Sequence, residues 1–326
     1  MRSLGADTEL SGNPPKPEKR PDIAIQNSSQ IVTSFLYFAI EHNIDVMHRL
    51  GSERQFGNIL EAARSEKDWK NVRAYLNIFN EYSIHLDHKQ KEQTISFLYE
   101  LLLNREGDIR RQGAALVGKM FANFNAGYRK EIPADMADLD DRQARTLWEA
   151  YMEKLICPDY RLTLQQKRRI QNSLKYVLLS GIEHSDDRVR EEMLTIFYRW
   201  FDGSHELDED ARFALLDAVF SMPAELCARS GRLDCLAEFA VDNMDHEDDR
   251  VRVAAVRALK VLTSVVTREN ACYERVRKAV TEMDTGSITM VFLQYRILTN
   301  LRLDTESQRE ILYGSDVVSD IFLENL

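Results

Sequence analysis

Apolar residues return every three or four positions along most of this chain, and one spacing is written three times after a short polar stretch. After Ile109 come Gly113, Leu116, Val117 and Met120; after Val189 come Met193, Ile196, Phe197 and Trp200; after Val251 come Ala255, Ala258, Leu259 and Leu262. The offsets are +4, +7, +8 and +11 each time, which is one face of a helix with about 3.6 residues per turn. The same periodicity predicts helices over 53–64, 68–82, 88–103, 108–124, 140–156, 163–182, 187–201, 207–222, 224–229, 233–244, 249–266, 268–283 and 288–303. Further apolar-periodic segments lie at 31–42 and 43–50, and at 305–313 and 317–326.

The polar stretches ahead of the repeated spacing are themselves alike. Glu183-His184-Ser185-Asp186-Asp187-Arg188-Val189-Arg190 and Asp245-His246-Glu247-Asp248-Asp249-Arg250-Val251-Arg252 agree at six of eight positions. Asn104-Arg105-Glu106-Gly107-Asp108-Ile109-Arg110 is a looser third copy. Each reads as the turn between two antiparallel helices plus the first turn of the second. The aspartates there accept bonds from free backbone N–H groups and suit the positive helix end. Another amphipathic helix lies upstream, as in Ile170, Leu174, Val177, Leu178 and Ile182. One such pair cannot bury its apolar face alone, and stacked pairs share a continuous core. The three opening motifs are therefore expected to start helices that lie together on one side of the array.

Asp249-Arg250-Val251-Arg252-Val253-Ala254-Ala255-Val256-Arg257-Ala258-Leu259 resembles the second helix of a HEAT repeat, with Gly107 to Val117 and Asp186 to Phe197 as looser matches. The resemblance implies an all-α, HEAT-like α-α superhelix of roughly six or seven helix pairs. It implies fold far more than activity. Residues 1–22, proline-dense from Asn13 to Pro21, are expected to form a disordered tail or linker, and 23–326 a single solenoid. The chain closes on the apolar Ile321-Phe322-Leu323. Solenoid ends need a polar cap, so this segment is expected either to fold back as one or to continue into a longer protein.

Composition narrows the function. Hydrophobic residues make up 44% and charged residues 29%, with 7 Pro and 13 Gly, the profile of a folded chain with short loops. Its longest apolar stretch, Ile31 to Ile40, is too short to cross a bilayer, and a cytoplasmic protein is expected. The net charge of −10 and pI near 5.3 argue against a general nucleic-acid binder, which needs clustered Lys and Arg. Cys157, Cys227, Cys235 and Cys272 form no CxxC pair, so zinc and thioredoxin-like readings are dropped and packed thiols are expected.

Enzymatic readings find little support. His205-Glu206 and His246-Glu247 are His-Glu dipeptides, with Glu41-His42 and Glu183-His184 in reverse order. Deoxyhypusine hydroxylases, which are HEAT-repeat enzymes, bind iron through His-Glu motifs. Here the dipeptides fall in turns, and repetition alone explains His184 and His246. No phosphate loop, GxGxxG, GxSxG or HExxH occurs. A DNA-glycosylase-like module would need basic and aromatic residues in a groove, for which Trp148, Trp200 and Tyr198 are the candidates. At helical spacing these read as core.

No catalytic residue, metal site or cofactor is expected, and the first function read from the sequence is a non-catalytic protein- or peptide-binding scaffold. A nucleic-acid-binding or DNA-glycosylase-like module is the second reading and an iron-dependent HEAT-repeat oxygenase the third. Lys119, Arg199, Arg257 and Lys260 lie on the second helices, which by the resemblance line a concave face, and they are the candidate partner-binding cations. The repeated arginines are expected to form a structural ladder, Arg110 with Asp108, Arg190 with Asp187 and Arg252 with Asp249, since a planar guanidinium suits such bridging.

Overall fold

A computed structural model describes residues 53–82, 86–127, 147–183, 186–229 and 231–302. The chain divides into residues 1–52 and Glu53–Leu326, and everything described belongs to the second unit. The expected tail, the helices at 31–50, the Asp140 helix opening, His42, His184 and the segments beyond 303 lie outside the described residues.

Helix α1 spans Glu53–Ser65, α2 Trp69–Tyr82, α3 His88–Leu101 and α4 Gly107–Gly127. Residues 147–156 form α5. Then come α6 Leu164–Gln171, α7 Leu174–Ile182, α8 Asp187–Tyr198 with a 3-10 turn at Arg199–Phe201, and α9 Glu209–Ser221. They are followed by α10 Ala224–Arg229, α11 Leu233–Asp242, α12 Asp249–Leu262, α13 Tyr273–Thr281 and α14 Ile288–Asn300. No strand occurs among the described residues. The expected helix at 163–182 is broken at Asn172-Ser173, where the Ser173 hydroxyl donates back to the Arg169 carbonyl at 2.8 Å. Such back-bonding competes with the helix ladder.

The helices sort into two rows by what they touch. In row B, α2 packs on α4, α4 on α7, α7 on α9, α9 on α12 and α12 on α14. In row A, α1 packs on α3, α11 on α13, and the 3-10 turn after α8 on α11. Side chains complete row A. Tyr99 of α3 meets Tyr151 of α5 edge-on at 5.7 Å between centroids, and Trp148 of α5 donates its indole N–H to the Met193 carbonyl of α8 at 3.4 Å. Along the chain the rows alternate, with α1, α3, α5, α8, α10–α11 and α13 in row A and α2, α4, α6–α7, α9, α12 and α14 in row B. Across the rows α3 packs on α4, α8 on α7 and α4, α11 on α12 and α13 on α14. The protein is a helical-repeat solenoid.

The repeated stripe is buried at every one of its positions, from Ile109, Val117, Phe197, Val251 and Leu259 at 0% to Trp200 at 9% exposed. Full burial of one such Leu, Ile or Phe contributes about 1.5–3 kcal/mol. Row B is tightest between α4 and α7, where two glycines let backbones touch. A Cβ on Gly118 would run into the Val177 carbonyl oxygen, and one on Gly181 into the Met193 thioether.

The motif chemistry at helix starts is as the pattern implies. Asp186 and Asp248 cap α8 and α12, accepting from the Arg188 N–H at 2.9 Å and the Arg250 N–H at 2.8 Å. Their placement is not. The copies at Gly107 and Asp249 open α4 and α12 in row B, and the copy at Asp187 opens α8 in row A. Three crossings separate each copy from the next, and an odd number lands on the opposite row. The motif encodes a helix start, which both rows need, and not membership of one side.

Candidate binding face

Helix periodicity decides which side chains each row turns outward. The large apolar residues left exposed on described helices are Trp69 of α2, Leu164 of α6, and Ile288, Phe292 and Tyr295 of α14. All belong to row B. On α14 the exposed residues recur at 288, 292 and 295, with Phe292 63% exposed, a stripe opposite the buried Gln294, Ile297 and Leu298. Tyr176, Phe213 and Phe220 add half-buried rings on α7 and α9 of the same row. The α14 stripe is contiguous, and contiguous exposed apolar residues mark interaction surfaces; Trp69 and Leu164 stand singly along the same row.

Cations are interleaved with these rings. Lys175 lies 5.3 Å from the Tyr176 centroid and bonds Asp217 at 2.7 Å. Arg73 lies 5.7 Å from the centroid of Trp69. Arg250 sits 5.8 Å from the Phe213 centroid and Arg257 4.1 Å from that of Phe220. The polar framework beneath centres on Asp210, whose residue is only 8% exposed. Arg168 of α6 reaches both its oxygens at 3.0 Å, and Arg250 of α12 reaches Oδ1 at 2.9 Å. Arg250 also holds Asp248 at 2.6 Å. This hydrogen bond keeps the Asp248 carboxyl below the usual carboxylate range, and Asp248 in turn raises Arg250. The network ties three successive row-B helices together. Sequence reasoning missed it, because Glu209-Asp210 looks like any acidic first turn.

The expected ladder residues sit as follows. Arg190 pairs with Asp187 and Arg252 with Asp249, each within its own first turn. Arg252 also donates to the carbonyls of His246 at 2.6 Å and Glu247 at 3.1 Å. Arg110 does the same to Asn104 at 2.7 Å and Arg105 at 2.8 Å. Asp108, however, pairs with Arg111. In the other copies Asp and Arg are three residues apart and share a helix face; Asp108 and Arg110 are two apart and do not. Burial and neighbouring Arg169 both lower the pKa of Arg110.

The four expected partner-binding cations are not brought together on one row. Lys119 lies exposed on α4, Arg257 exposed and Lys260 half-buried on α12, all in row B. Arg199 lies in the 3-10 turn of row A and bonds Glu149 at 2.7 Å. Among the described residues no carboxylate pairs with Lys119, Arg257 or Lys260.

Other candidates have structural occupations. His205 stacks on Trp200 at 4.1 Å between centroids, and His246 accepts from the Asp248 N–H at 3.1 Å. No three His, Cys, Asp or Glu side chains converge on a metal position among the described residues. Trp148 and Trp200 are buried. Tyr198, also buried, contributes to a pocket on the row-A side with Asp187, Arg190, Glu191, Thr195 and Arg232, where acidic and basic side chains alternate and form no basic groove. Cys227 and Cys272 are buried, and burial pushes their thiols up to about 11 and about 12. Cys235 is half-buried and donates to the Phe201 carbonyl. Cys157 departs from the packed-thiol expectation: it is exposed, at the end of α5 just before Pro158. No described helix is long and apolar enough to cross a membrane.

No protein-family model matches the chain, and no curated protein matches it either. Among solved structures it is similar to an engineered protein from the Northeast Structural Genomics Consortium, with TM-score 0.37 and 11% identity over 75% of this chain and 96% of that one. It is also similar to a designed armadillo repeat protein, with TM-score 0.35 and 14% identity over 75% and 98% of the two chains. A second engineered protein from the same consortium gives TM-score 0.34 and 18% identity over 75% and 97%.

Proposed function

We propose that this solenoid, of HEAT type by its helix-opening motif, is a non-catalytic scaffold that binds a protein or peptide on the outward side of row B. One observation carries the reading: the exposed large apolar side chains on described helices, Trp69, Leu164, Ile288, Phe292 and Tyr295, fall on that row. Solvated helices with no partner have no reason to gather such residues on one side, and interface cores are enriched in aromatics and arginine. The ion pairs of row B support the same division, since the Asp210 network fixes the helices while Lys119, Arg257 and Lys260 stand without a described carboxylate.

The test is site-specific photo-crosslinking in the native cytosolic extract. A benzophenone residue replaces Phe292 or Tyr295 in row B, or Glu92 or Glu191 in row A. Discrete adducts from both row-B positions, and none from row A, are expected. Adducts from row A alone, or none from any position, overturn the proposal.

A further inference from the structure

The α9–α12 seam carries two stacks of the same design. Phe213 and Phe220 lie two turns apart on α9, and Arg250 and Arg257 lie two turns apart on α12. Each guanidinium sits over the ring opposite it. At the first stack Arg250 holds two carboxylates, Asp210 at 2.9 Å and Asp248 at 2.6 Å. At the second, no described carboxylate reaches Arg257 or its neighbour Lys260, one turn on. A guanidinium lying on a ring keeps its in-plane N–H edges free. It is also already ordered, so binding a carboxylate there costs less side-chain entropy.

We infer that the Arg257 stack, with Lys260, anchors an Asp or Glu side chain from an extended acidic and apolar segment of a partner protein. The inference rests on the row-B reading above and adds the chemistry of the partner. Arg250 supplies an internal comparison: one heptad earlier, beside Phe213 at 5.8 Å, an arginine of the same helix holds carboxylates of this chain, while Arg257 lies closer to its ring at 4.1 Å. Phe220 and Val253, both half-buried, give an apolar shelf beside the anchor. Lys119 lies three row-B steps away, on α4. At about 8–10 Å per helix step that is roughly 25–30 Å, which about eight or nine extended residues span at ~3.3 Å each. The segment therefore crosses row B and does not follow one helix. On α7 and α9, between Lys119 and Arg257, Lys175 is already held by Asp217 at 2.7 Å, so that stretch offers a neutral pair and not a free cation. A continuous polyanion such as nucleic acid would find no run of cations there, whereas spaced carboxylates with other side chains between them suit it.

The experiment pans a random dodecapeptide display library against the full chain and against the Arg257→Glu/Lys260→Glu variant, after a thermal melt shows both folded. Peptides enriched in Asp and Glu are expected on the native chain only. One synthesised winner is expected to bind about tenfold more weakly to Arg257→Gln, the size of one lost charge-assisted contact. Peptides without an acidic excess overturn the acidic anchor; if the row-B crosslinks persist, the scaffold reading survives. Acidic peptides held equally by the variant overturn the assignment to Arg257. No enrichment at all also overturns it. Random single-stranded DNA that binds the native chain and is lost with Arg257→Gln overturns it in favour of a nucleic-acid partner.

Discussion

Rows A and B are built from helices of the same kind, yet their outward sides differ. Row A turns out charged residues that satisfy one another: Arg64 bonds Glu61 and Glu100, Arg199 bonds Glu149, and Arg277 bonds Glu274. None of the exposed large apolar residues lies on a described row-A helix. Row B turns out rings, with cations over several of them, and hides its main carboxylate, Asp210, beneath. Stacking helices requires only the inward stripes, which both rows possess. The outward sides are free of that requirement, so a difference between them reports on use. Exposed ion pairs keep a surface solvated at little gain in stability. Contiguous exposed rings, as along α14, are the feature on which the proposed binding face rests.

The largest way to break the comparison is to break row B itself. Gly118→Val puts side-chain atoms where the Val177 carbonyl and Gly181 backbone already lie. The obstacle is backbone and cannot rotate away, so a loss of about 3 kcal/mol or more is expected, read by urea denaturation. Next come the two kinds of ion pair. Asp210→Ala strips a buried carboxylate from Arg168 and Arg250, whose side chains are 43% and 40% exposed. Partial hydration of those arginines holds the expected loss to about 2 kcal/mol. Glu149→Ala breaks the exposed row-A pair with Arg199 and is expected to cost less than about 0.5 kcal/mol. Equal losses from the two would erase the distinction between fixed and solvated charge.

A smaller effect concerns acid. Arg250 holds Asp248 ionised in the folded state below its ordinary 3.8. The resulting stabilisation is complete above that ordinary value and is lost as pH falls through the lower folded one. Melting temperature should therefore decline below about pH 4, and Asp248→Asn should flatten that decline. A decline of the same steepness in the variant would show that other carboxylates set the acid limb.

Much of the fold was legible in the sequence, because buried stripes repeat with the helix period and each residue of Val251, Ala255, Ala258, Leu259 and Leu262 answers to the same local rule. The N-caps Asp186 and Asp248 were legible for the same reason. What was not legible depends on counting crossings between helices. The Asp187 motif looks equivalent to the one at Asp249, yet α8 and α12 fall in opposite rows, and so Arg199 parts company with Lys119, Arg257 and Lys260. Nor does any local pattern reveal that Asp210 meets Arg168 and Arg250 from helices about 40 residues away. Arg250 and Arg257 read alike along the chain, and only the positions of Phe213, Phe220 and Asp210 separate them.

The central claim is that row B's outward cations serve a partner and not the fold. The triple reversal Lys119→Glu, Arg257→Glu, Lys260→Glu tests it in one comparison, with melting temperature and photo-adducts from Phe292 measured on the same preparation. Lys119 and Arg257 are exposed and Lys260 is half-buried. Loss of the Arg257–Phe220 stack costs about 0.5–1 kcal/mol and the other two changes less than about 0.5 kcal/mol each, so the melting temperature is expected to fall by no more than about 5 °C, while the adducts disappear. A fall of about 8 °C or more, or adducts of undiminished yield, would contradict the account.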